Sequence, residues 1–138
     1  MKTYRIFAVA LVAILLFGCS GAKFQNEKTL LTTVTKAMET LTVAINNAVA
    51  PHEITSAVSA FSDQIEKLAP AMKKLSDEHP DWNTKPPSQL KDTMDKFKSA
   101  SSGLQGVMPK LMQMANQYTD DAQLQSALRR FQSVVEGL

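Results

Sequence analysis

LTTVTKAMETLTVAINNA, residues 31–48, is the stretch on which the fold turns. Its apolar residues Leu31, Val34, Met38, Leu41, Ile45 and Ala48 recur at alternating steps of three and four. That is the seam of an amphipathic helix packed along its length against neighbours. Threonines at 29, 32, 33, 35, 40 and 42 fill many of the remaining positions and read as exposed. Their β-branching costs an isolated helix about a few tenths of a kcal/mol each, so packing has to hold this segment. Asn46 and Asn47, followed by Pro51, mark its end.

The same spacing recurs downstream. A second seam runs Ile54, Val58, Phe61, Ile65, Leu68, Met72, Leu75, with Pro51 suited to the first turn and residues 76–80 closing it. Pro70 interrupts this helix without shifting its phase, which predicts a kink. Residues 81–87 read as a loop, and Ser88 as an N-cap. A third seam follows through Leu90, Met94, Phe97, Ser101, Leu104, Met108, Leu111, Ala115 and Tyr118. Gly103, Gly106 and Pro109 weaken its middle, yet the phase carries through, predicting one bent helix of about 45 Å. Asp120 with Gln123 resembles a capping box for a shorter fourth seam, Leu124, Leu128, Phe131, Val135, Leu138. No alternating strand pattern is present. The expected fold is all-α, an up-down-up-down four-helix bundle with helices two and three kinked at prolines.

Upstream of the seams, Lys2 and Arg5 precede an apolar run from Ile6 to Phe17, then Gly18 and Cys19. This is the layout of a secretory signal, too short to span a bilayer. Leu16, Gly18 and Cys19 resemble the lipobox of bacterial lipoproteins, with Phe17 bulkier than that family's usual residue there. The resemblance implies cleavage before Cys19 and acylation of that cysteine. Ser20, where an aspartate would resemble an inner-membrane retention signal, implies outer-membrane placement facing the periplasm. The expected division is a signal at 1–18, a lipidated cysteine and tether at 19–29, and a bundle domain at 30–138. Lys and Arg total 15 against 13 Asp and Glu, and two of the basic residues fall in the signal. The remaining chain is neutral, which excludes the clustered basic face that nucleic-acid binding needs. With its single cysteine acylated the domain has no disulfide, and burial alone must hold it.

Candidate sites are few. Met38 in Met38-Glu39-Thr40-Leu41 on the first helix resembles the soluble periplasmic b-type cytochromes, four-helix bundles whose iron is held by a first-helix methionine and a last-helix histidine. The fourth seam contains no histidine, and His52 and His79 fall at helix ends, so no haem or other cofactor is expected. Met108, Met112 and Met114 are soft ligands, but Met114 points about 160° away from Met108 on one helix. The reading is therefore core for Met108 and rim for the other two. Asp77, Glu78, His79 and Asp81 lack the spacing of a calcium loop and read as a solvated helix end, so no metal site is expected. No nucleophile, base and orienting acid stand together, so no enzyme is expected. Trp82, off every seam in a proline-rich loop, is the candidate partner-binding residue, the alternative being that it folds back over the bundle end. These readings converge on a non-enzymatic, membrane-anchored helical domain that binds or supports another cell-envelope protein. The alternative is a carrier using the bundle interior. Because the fourth helix is short, a homodimer would complete the bundle.

Overall fold

A computed structural model describes residues 24–137. Cys19, the signal-like stretch before it and Leu138 of the fourth seam lie outside the described residues. Four α-helices account for most of the chain: α1 (Gln25–Asn47), α2 (Pro51–Glu78), α3 (Lys91–Gln117) and α4 (Ala122–Glu136). Between α2 and α3 come two short 3-10 turns, Pro80–Asn83 and Ser88–Leu90. No strand occurs among the described residues, and no described helix is long and apolar enough to cross a membrane.

All six seam residues of α1 are buried. The threonines around them do more than fill the outer face. Thr29, Thr33, Thr35 and Thr42 each donate their hydroxyl to the carbonyl four residues back, at 2.7–2.9 Å. Thr35 is buried rather than exposed, and its bond to Leu31 is what makes that burial tolerable. The helix starts at Gln25, so residues 25–29 of the expected tether are helical. Phe24 caps it with φ 64°, a left-handed conformation that costs a non-glycine residue about 1 kcal/mol or more. At the other end Lys110 of α3 donates to the carbonyls of Asn46 (2.7 Å) and Ala48 (3.0 Å), a cation on the negative end of the helix.

Helix α2 begins at Pro51, as the sequence suggests, and Glu53 reaches back to accept the N–H groups of Val49 (2.8 Å) and Ala50 (2.9 Å). Both α2 and α3 run unbroken through their internal prolines. Each proline is exposed, as are Glu66 and Gln105, whose carbonyls lose a helical donor to it, so water can serve them instead. Ser88 is not the N-cap of α3. It lies in the 3-10 turn, and Leu90 precedes the helix without a side-chain cap. For α4 the cap is Asp121, one residue after the expected Asp120, accepting from the Leu124 N–H at 2.9 Å.

Two seams are displaced. On α3 the buried side chains include Ala100, Val107 and Met114, while Ser101, Met108 and Ala115 are half-buried. The inward face is thus centred a residue earlier than the seam. On α4, Ala127 is buried and Val134 packs on the core, whereas Val135 is 40 % exposed.

Neighbours are not all consecutive in sequence. Helix α1 packs against α2 and, most closely, α3, and α2 packs against α4. Helices α3 and α4 touch little along their lengths and are joined through caps, Gln125 donating to the carbonyls of Ala115 (2.8 Å) and Tyr118 (3.2 Å). Directions follow from the contacts. Lys110 meets the end of α1, Phe24 meets Trp82 just before α3, Arg130 meets Asp63 and Glu66, and Ala122 lines one cleft with Thr55. So α1 and α3 point one way, α2 and α4 the other. The stretch 79–90 carries the chain across the end of the bundle, setting α3 on α1 rather than beside α2.

Candidate functional site

Most of the buried side chains form one core shared by the four helices, with Phe61 and Phe131 5.7 Å apart where α2 meets α4. A smaller cluster closes the end where the described chain begins: Leu31, Leu90 and Met94, with Phe24, Leu75, Trp82 and Phe97 packed on it. Trp82 is half-buried here. Its ring stacks on His79 (3.8 Å, 10° between planes) and takes the edge of Phe24 (5.1 Å, 88°). Pro80 starts a 3-10 turn that folds the loop back, which is how the tryptophan reaches its own bundle. Lys98 ties that turn down by donating to the Asn83 carbonyl at 2.8 Å.

The other candidates are scattered. Met38 is 6 % exposed within the main core, His52 is exposed, and His79 is engaged by Trp82. Met112 is 62 % exposed, but Met114 is buried and Met108 half-buried, so the expected roles of these two are exchanged by the shift of α3. Asp77 and Glu78 are engaged by Lys73 (2.9 Å) and Lys74 (3.7 Å) one helical turn back. No group of three or more potential metal ligands is assembled among the described residues.

Two features escaped the sequence reading. Arg130 of α4 makes a two-pronged bond to Glu66 (2.9 and 2.6 Å) and meets Asp63 at 2.6 Å. The guanidinium holds the Glu66 carboxyl below its usual range, and the carboxylates push Arg130 further up. These charges flank the seam residues Phe61, Ile65 and Phe131, the positions where charge pairs select a neighbour. The second is Ser62, fully buried with its Oγ lacking a hydrogen-bond partner.

Two clefts open on the surface. One, of about 440 Å³, lies between α2 and α4 and is lined by small polar residues (Thr55, Ser59, Ser126) beside Arg130. The other, of about 310 Å³, lies between the start of α1 and the end of α2, with Leu30, Leu68, Ala71 and Leu75 as its floor and Lys67, Lys74, Glu27 and Glu78 at its rim. Helix α4 ends at Glu136, about 9 Å past the Arg130 contact, and α2 runs on to Glu78 without it. No family model, curated protein or solved structure matches the chain.

Proposed function

We propose that this chain is a lipid-anchored, non-enzymatic helical domain that faces the periplasm from the outer membrane and binds another envelope protein. The anchor rests on residues 2–19 and their likeness to a signal ending in a lipobox. The binding role rests on one observation, the cleft between the start of α1 and the end of α2. Leu68 and Leu75 of the α2 seam lie on its floor and remain only half-buried. A cleft with an apolar floor and a mixed-charge rim suits an amphipathic helix laid into it.

The test is site-specific photocrosslinking in the protein's own cells at native expression, from exposed Ala71 in the cleft and, as control, from exposed Ser102 on α3. The expected result is one discrete protein adduct from position 71 that is absent from position 102 and disappears in a Leu68→Lys background. No adduct from position 71, or equal adducts from both positions, would remove the binding role.

A further inference from the structure

The end of the bundle holding Trp82 is also the end from which the chain leads back to Cys19. Phe24 is five residues from that cysteine, and a fully extended chain gains at most about 3.6 Å per residue, so the tether spans no more than about 18 Å. The early start of α1 makes the tether this short. Trp82 is 5.1 Å from Phe24, centroid to centroid, and cannot stray further than about 30 Å from the acylated atom. Val49, past the far end of α1, stands about 35 Å of helix away from Phe24.

We propose that this end, formed by Phe24, His79, the turn Pro80–Asn83 and Trp82, rests in the headgroup layer of the membrane, with the Val49 end directed away from it. The proposal rests on the lipid-anchored reading of Cys19. The surface it presents suits an interface. The Trp82 and Phe24 rings and Pro86 and Pro87 are each partly exposed around a small apolar cluster, and tryptophan combines an apolar ring with a polar N–H that favours the headgroup region. Charge does not direct it, because Lys28, Lys85, Lys91 and Lys98 are matched there by Glu27, Glu78, Asp81 and Asp92. Zwitterionic lipid is therefore a sufficient partner. Held this way, the α1–α2 cleft opens sideways, close to the bilayer.

Trp82 is the sole tryptophan, so its fluorescence reports this end alone. The full-length protein, purified in detergent from cells that process it, would be reconstituted into phosphatidylcholine vesicles carrying headgroup spin-labelled lipid. A Trp82→Phe/Val49→Trp variant moves the reporter to the far end, at a position 84 % exposed. Quenching of native Trp82 is expected to exceed that of the variant at least about twofold. Equal quenching, as from a bundle lying flat, or stronger quenching at position 49 would overturn the proposal. Vesicle flotation separates the two levels. Protein that floats with unquenched Trp82 refutes the orientation alone, whereas protein that fails to float refutes the anchor and the orientation with it.

Discussion

Phe61, Phe97 and Trp82 differ in how much surface each removes from water, and their truncations should rank accordingly. Phe61 is 4 % exposed and packs on Phe131. Phe61→Ala is expected to cost about 3–5 kcal/mol, transfer plus cavity, a large part of the roughly 5–15 kcal/mol typical of a domain. Phe97 and Trp82 are half-buried, so their alanine variants should lose about 1–2 kcal/mol each, read from denaturant melts. If Trp82→Ala melts like the native protein, the contacts with His79 and Phe24 carry no energy in solution. Ser62 works in the opposite sense. Its unpartnered hydroxyl was moved out of water with no bond to compensate, so Ser62→Ala should be neutral or stabilising by up to about 1 kcal/mol. A destabilised Ser62→Ala would show that the hydroxyl has a partner after all.

Within the helices, α3 carries avoidable weakness. Gly106 lies in its interior, and a Cβ there would meet nothing within 4 Å. Gly106→Ala is expected to raise stability by about 0.5–1 kcal/mol, and Gly103→Ala by no more than that, since its Cβ would touch the Thr42 methyl at an ordinary 3.9 Å. A drop in Tm for Gly106→Ala would mean that α3 needs the glycine's freedom. The start of α2 and its mid-helix contact with α4 are acid-sensitive. The N–H groups of Val49 and Ala50 hold Glu53 below its ordinary pKa, and Arg130 does so for Glu66. A depressed folded-state pKa contributes stability that is whole above the unfolded value, about 4.3, and lost as pH falls through the folded one. Tm should therefore fall below about pH 4.5, and Glu53→Gln should flatten that fall while lowering Tm at about pH 7. An unchanged acid limb in Glu53→Gln would show that the cap is not formed.

For the molecule as a whole, attachment should depend on one atom. On the lipid-anchored proposal, Cys19→Ser removes the acylation site, and with it acyl chains that would contribute about 0.8 kcal/mol for each buried CH₂. The balanced charge of the remaining chain offers no substitute, so the variant should leave the membrane fraction. Lipid-labelled mature protein persisting in the Cys19→Ser variant would defeat the lipobox reading. What the sequence by itself determined is local: four helices, their faces, and ends at Asn47, Pro51 and Glu78. Apolar periodicity, prolines and helix-ending polar residues act within a few residues of where they stand. Tertiary structure alone decided which helices touch, and which of two adjacent apolar residues turns inward, as between Val134 and Val135. A seam specifies that a face will be buried but not against what, because apolar surface is non-directional. The choice fell to features a seam does not encode: the ion cluster at Arg130 and the cation at Lys110. Trp82 follows the same logic. Its composition marks it as a contact residue, but only the turn at Pro80 and the early start of α1 bring His79 and Phe24 to its ring.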